Sequence, residues 1–182
     1  MPGPNLIRGY REAAMRHPDA VLSGPVTYLP EGFGDLAPAR LAAATAPHLA
    51  RPAPDPGTER RASESEYDLF WSLSFAVTAR GWRTAGGFDG SFEGYGGEDT
   101  DFGRRLRQRH VPLVWVGGAD AYHQYHPTTT PPVQHLDDIL RNGARFASLW
   151  GQWPMTGWLE AFERDGLVER VENGWRRAGS AP

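Results

Sequence analysis

Three carboxylates, Glu98, Asp99 and Asp101, stand directly behind Tyr95-Gly96-Gly97 in this 182-residue chain. A carboxylate within hydrogen-bond reach of a hydroxyl can take its proton as the oxygen becomes a nucleophile. The segment leading in, Gly86-Gly87-Phe88-Asp89-Gly90-Ser91-Phe92-Glu93-Gly94, is poor in side chains. Glycine loses more freedom on ordering than any other residue, so such a run is costly unless the backbone must bend or approach a ligand closely. Acids and an aromatic on a tight glycine turn suit a sugar, whose hydroxyls need acceptors and whose ring face needs a flat apolar partner. The alternative is purely structural. Glu98, Asp99 and Asp101 at the start of a helix and Arg104, Arg105, Arg107 and Arg109 at its end complement the helix dipole without any ligand. The preceding Gly96-Gly97 and Tyr95 favour the functional reading.

The second set with chemical potential is His123 and His126, in Ala121-Tyr122-His123-Gln124-Tyr125-His126-Pro127. On a straight strand these two imidazoles would point to opposite faces, so they can share a cation only where the backbone turns between them. The bare spacing is weak evidence of metal binding. His17, His48, His110 and His135 lack such a setting and read as surface groups.

These residues need elements to position them. A helix is expected over Leu6 to His17, with Leu6, Tyr10, Ala13 and Ala14 on one face and Asn5 as its cap. Ala20 to Leu29 contains a short strand interrupted by Gly24-Pro25. Pro30 to Ser65, rich in Ala, Pro, Gly and Arg, reads as a long mobile surface excursion with a short helix near Pro38 to Thr45. Leu69 to Thr78 reads as a buried strand. A helix over Glu98 to Arg109 turns Phe102 and Leu106 inward. Val111 to Val116 is a second strand. His135 to Leu149 is a helix with Leu136, Ile139, Leu140, Ala144 and Ala147 inward. A last helix, Met155 to Asp165, precedes a polar tail. Trp71, Trp82 and Trp115 suit core packing. Trp150, Trp153 and Trp158 form either a packed cap or an exposed platform for a glycan.

Bulk properties narrow the function classes. The length predicts one domain over 1–182, and 40% hydrophobic with 23% charged residues is ordinary for a soluble globular protein. A net charge of -3 gives no electrostatic reason to expect nucleic acid or an anionic membrane as a partner. The absence of Cys excludes disulfides, thiolate metal sites and cysteine nucleophiles. No segment reads as a signal peptide or a membrane span, so a cytoplasmic protein is expected. All 19 cationic residues are Arg, and Ala, Gly and Pro abound, a pattern that fits a GC-rich bacterial genome.

The run Gly86 to Leu106, GGFDGSFEGYGGEDTDFGRRL, resembles the C-terminal signature of metal-dependent glycosyltransferases with the nucleotide-sugar-binding type A fold. The nearest likeness is to the β-1,4-galactosyltransferase C-terminal domain and related bacterial family 2 enzymes. It runs from about Phe70 to about Pro132, with a weaker likeness from Pro2 to Pro30. The resemblance implies an α/β fold, the C-terminal half of a nucleotide-diphospho-sugar transferase, with a small mixed sheet flanked by helices. In that family the aspartate matching Asp99 holds the acceptor hydroxyl and serves as general base. Glu98 would contact the acceptor or orient the loop. Tyr95 stands where those enzymes have Trp and would stack on the acceptor. Gly96 and Gly97 would shape the acceptor pocket, Asp101 would brace it, and Trp71 would border the donor sugar. His126 falls on a metal-binding histidine, with His123 at the second ligand position, which is Met in the animal enzymes.

A divalent cation, Mn²⁺ or Mg²⁺, suits imidazole together with carboxylate and diphosphate oxygens, and would act as a Lewis acid on the departing charge. The implied partners are a nucleotide-sugar donor and a glycan or small-molecule hydroxyl acceptor. Thr100 replaces a further acid of the galactosyltransferases, so acceptor identity does not carry over. The Asp-x-Asp motif of the family's N-terminal, nucleotide-binding half has no counterpart; Asp99-Thr100-Asp101 spells it, but in the acceptor loop. The expectation is therefore a truncated gene product, a misplaced start or an acceptor half that needs a partner chain, binding metal and nucleotide weakly alone, since a hard ion normally has around six ligands. The leading function is an inverting, metal-dependent, galactosyltransferase-like enzyme. A catalytically silent carbohydrate-binding or scaffold remnant and a metal-assisted hydrolase are the alternatives.

Overall fold

The computed structural model describes residues 1–179. Two compact units make up the chain: Met1–Gly87 with Phe102–His126, and Phe88–Asp101 with the chain from Pro127 onward.

In the first unit, helix α1 (Leu6–Arg16) presents Tyr10 and Ala13 to the core. Asn5 gives no side-chain cap; its Oδ1 accepts from Arg8 instead, at 2.7 Å. Gly24-Pro25 splits the next apolar stretch into β1 (Val21–Ser23) and β2 (Val26–Tyr28). Helix α2 (Pro38–Ala43) follows, with Leu41 buried. The excursion around it is pinned down where a mobile segment was expected. Thr27 Oγ1 accepts from Ala46 N (3.0 Å), His48 N donates to Val26 O (3.0 Å), and buried Arg51 donates to Ser23 Oγ (2.6 Å). Its last part forms β3 (Glu59–Arg61), antiparallel to β5 (Leu113–Val116).

The strand expected over Leu69 to Thr78 is mostly something else. Glu64–Leu69 is a 3-10 helix opened by a Ser63/Glu66 capping box, and only β4 (Phe75–Val77) is strand. Thr78 then caps α3 (Ala79–Ala85), accepting from Gly81 N at 3.0 Å. The sheet runs β3-β5-β1-β4, with β1 parallel to β5 and both outer strands antiparallel. Helices α1 and α3 flank it. Leu22, Val114 and Val116 meet Tyr10, Ala13 and Ala119 in its core. This is the small mixed sheet with flanking helices that the resemblance implies. A parallel pair, β2 with β6 (Ala121–His123), stands beside β1 and β5 in sequence and carries His123 at its end.

Helix α4 (Glu98–Gln108) begins in the second unit and continues in the first, where Phe102 and Leu106 are fully buried. Its arginines have specific partners beyond the helix dipole. Arg104 grips Asp68 through two bonds of 2.9 and 2.6 Å, Arg105 donates to Gly87 O (2.8 Å), and Arg109 donates to Ala85 O.

The second unit packs α5 (Leu136–Trp150) and α6 (Thr156–Arg164) on a hairpin, β7 (Val168–Val171) and β8 (Gly174–Arg177). The expected polar tail is thus an antiparallel hairpin, held because Val168 is buried with Leu136, Ile139, Leu159 and Phe162. Ala144 is exposed, against expectation; the buried positions of α5 are Leu136, Ile139, Asn142, Gly143 and Phe146. The amide is inside because the backbone of Glu93 and Tyr95 bonds to it, and the glycine because the Trp153 ring lies where a Cβ would be.

Candidate functional site

The glycine loop belongs to the second unit. Gly94, Gly96 and Gly97 all have positive φ (73°, 97° and 92°), a region that favours glycine. At Gly94 a Cβ would also lie 2.2 Å from Asp138 Oδ2, so no side chain fits there. The polar face of α5 meets this backbone. Asn142 Nδ2 donates to Glu93 O (3.0 Å) and Tyr95 O (3.2 Å), and its Oδ1 accepts from Glu93 N (3.4 Å). Asp138 accepts from Tyr95 N (3.1 Å) and pairs with Arg141, which also donates to Glu93 O at 2.5 Å. Arg145 reaches Asp89 at 2.6 Å and lies over the Phe92 ring. These residues recur at three- and four-residue spacing, one face of the helix. Arg145, seconded by the Ser91 N–H, holds the Asp89 carboxyl down to about 2.

Tyr95 is 39% exposed, and its ring stacks on His135 (centroids 4.3 Å apart, planes 8° apart) with Trp158 at 6.0 Å. His135, expected to be a surface group, is therefore the backing of this ring. Asp101 is 1% exposed and accepts from Trp150 Nε1 at 3.0 Å. Glu98 and Asp99 are half-buried in the first turn of α4. Burial raises the Glu98 carboxyl above its ordinary value, the Asp99 charge beside it adds to the rise, and backbone hydrogen bonds at Glu98 and Gly96 oppose it. Glu98 Oε2 is buried and without a hydrogen-bond partner among the described residues.

The histidines belong to the first unit. Strand β6 ends at His123, and the residues beyond it are no longer strand, so the backbone leaves the alternation that would part the two side chains. The His123 and His126 rings are 5.2 Å apart, centroid to centroid. His123 Nδ1 donates to Gln124 O at 3.0 Å, since a carbonyl can only accept; that tautomer leaves Nε2 with its lone pair. The His123 ring stacks on Tyr28 (4.7 Å), Tyr28 meets His48 edge-on (5.7 Å), and His48 meets Trp71 edge-on (5.2 Å). Arg51 lies 5.6 Å from the rings of both Trp71 and Trp115. Exposed His48, expected to stand alone, thus links Trp71 to the histidine pair. A hollow of about 280 Å³ is bounded by Met1, Leu73, Tyr122, His123 and His126.

The pair offers two nitrogen donors, and among the described residues no group of three or more His, Asp or Glu side chains could hold a metal ion. Imidazole donors fit Mn²⁺, but the remaining coordination has to come from a ligand's oxygens. His110, with φ of 55°, and His17, bonded to Glu59 at 2.8 Å, play no part here.

Comparison with known proteins adds a family match. Residues 58–127 match the family described as the N-terminal domain of galactosyltransferase. That stretch contains the glycine loop, Asp99 and both histidines. Its description lends no support to placing the chain in a C-terminal half. The chain is also similar to two validoxylamine A glucosyltransferases, from Streptomyces hygroscopicus subsp. jinggangensis (strain 5008) and from S. hygroscopicus subsp. limoneus. Each is 41% identical over 45 residues, 25% of this chain and 11% or 10% of the relative. The matched segment thus spans about a tenth of either relative's length. No helix among the described residues is long and apolar enough to cross a membrane.

Sequence reasoning missed Asp138, Asn142, Arg141 and Arg145. A signal existed: a polar stripe at helical spacing on a helix read only for its apolar face.

Proposed function

We propose that this chain transfers a sugar from a nucleotide-sugar donor to a hydroxyl acceptor, with inversion and with the help of a divalent cation. The observation that carries the reading is the galactosyltransferase family match, which spans the acid loop and the histidine pair together. The glucosyltransferase relatives support a hexosyl donor and leave galactose without special standing. In the proposed step an acceptor hydroxyl loses its proton to the Asp99 carboxylate as its oxygen attacks the anomeric carbon. The bond from that carbon to the diphosphate oxygen breaks, and the nucleoside diphosphate leaves with the electron pair. Tyr95, backed by His135, provides the flat face on which an acceptor ring stacks. Gly96 and Gly97 let the acceptor approach backbone, and Asp101, tied to Trp150, holds the start of α4. Glu98 accepts an acceptor hydroxyl through Oε2, which has no hydrogen-bond partner among the described residues.

On the donor side Trp71 borders the sugar. His123 Nε2 and His126 would hold Mn²⁺ or Mg²⁺, which when bound would offset the charge of the leaving diphosphate. Incubation with labelled nucleotide sugars, Mn²⁺ and a panel of glycans and small hydroxyl acceptors tests the proposal. Labelled glycoside product is expected. Binding of glycans without transfer from any donor would instead mark a carbohydrate-binding protein.

A further inference from the structure

We propose that Asn142, with Asp138 one turn before it, is the positioning device of the acceptor loop, setting the Tyr95 ring and the start of α4 in place for transfer. This rests on the function proposed above. The loop backbone from Glu93 to Tyr95 presents two carbonyls and two N–H groups to α5, and these two side chains engage all four. Asn142 is 1% exposed, so its own amide has these backbone groups rather than water as partners. Only a side-chain amide suits the position. It donates to two carbonyls and accepts from one N–H at once, which neither a carboxylate nor an apolar side chain can do. Gly94 lets the backbone close against Asp138, since its φ is 73° and a Cβ would meet the carboxylate. With Tyr95 N and O both tied, the ring is directed onto His135. The same helix reaches the far end of the loop through Trp150 and Asp101. Helix α5 therefore splints the loop at both ends, and Asn142 is its inner fastening.

A residue that merely stabilised the fold would change all activities alike. A positioning residue for the acceptor side separates them. The test compares Asn142→Ala with wild type in the full chain, by amide hydrogen exchange and by kinetics at saturating donor. Exchange at Glu93, whose N–H Asn142 accepts, and at the neighbouring Tyr95 should speed up about tenfold or more, as unmade hydrogen bonds free that backbone, while Leu113–Val116 stays protected. Transfer to the sugar acceptor should fall about 100-fold, the scale of a misplaced reacting group, with a raised acceptor KM, while donor KM stays unchanged and donor hydrolysis by water falls far less. Unchanged loop exchange, or donor hydrolysis falling in step with transfer, would overturn the proposal. If wild type transfers no sugar at all, the function proposed above fails, and the exchange data still decide whether Asn142 fastens the loop. Should Asn142→Ala not fold, Asp138→Ala gives the same two readouts from a partly exposed position of the same helix.

Discussion

The acid loop and the histidine pair are held by opposite means. The backbone N–H and C=O groups of Glu93 and Tyr95 are each fixed by a directional hydrogen bond with a side chain of α5, and the inner fastening, Asn142, is itself buried. The histidines rest on stacked and edge-on rings, and Tyr28 in that ladder is 48% exposed. Directional bonds from a buried amide favour one backbone geometry. Ring contacts at the surface tolerate small shifts. In the proposed reaction the acid side is set before substrate arrives, whereas the imidazole side would be completed by what it binds.

Removing the metal should have the largest effect. Chelation, or His126→Ala, is expected to bring transfer to background, with Mn²⁺ restoring only the chelated wild type. Calorimetric titration should show weak Mn²⁺ binding by the chain alone, since only two nitrogens are on offer, and tighter binding once a nucleoside diphosphate is present. Tight binding without nucleotide would erase the contrast between a finished and an unfinished side.

Gly94→Ala attacks the finished side. Positive φ alone costs about 1–3 kcal/mol for a residue with a Cβ, and the collision with Asp138 adds to it. Thermal unfolding should shift down, and transfer should fall well below donor hydrolysis. An unaltered Tm with full transfer would mean the loop is not held as described.

Tyr95→Ala should raise acceptor KM about tenfold, in line with an aromatic contact of about 0.5–1.5 kcal/mol. Donor KM should not move.

Acid separates the units with a smaller effect. Asp89 is held at about 2 by Arg145, against an ordinary 3.8, so its stabilising contribution is complete above the ordinary value and lost as pH falls toward 2. Glu66, held at about 2 by Arg60, behaves likewise in the first unit. Glu98 has the opposite sign: its raised carboxyl favours the folded state at low pH, and that contribution fades as pH rises through its folded value. Hydrogen exchange between pH 5 and 2 should lose acid sensitivity around Ser91 in Asp89→Asn, and around Ser63 in Glu66→Gln. Loss of both in either variant would contradict separate anchoring.

Elements with a strong period were legible in the sequence. Leu6–Arg16 and Glu98–Gln108 follow from their apolar spacing, and Gly24-Pro25 marked the break between β1 and β2. What failed were segments whose state depends on distant partners. Glu59–Arg61 is strand only because β5 offers an edge, and Val168–Val171 only because Leu136 and Phe162 bury Val168. Leu69 to Thr78 misled because aromatic content reads as strand, while Ser63/Glu66 and Thr78 cap two helical turns around it. In the site, Tyr95, Glu98 and Asp99 stood out because glycines are conspicuous. Asn142 did not, since a buried amide is indistinguishable in sequence from an exposed one.

Asp99→Asn, measured in a single turnover with saturating labelled donor and acceptor, tests the central claim most directly. The account predicts a fall in transfer of about 10²–10⁴-fold with unchanged circular dichroism, because the hydroxyl then loses the carboxylate assigned to take its proton. Equal rates in variant and wild type would remove Asp99 from the chemistry and the acid loop from the proposed reaction.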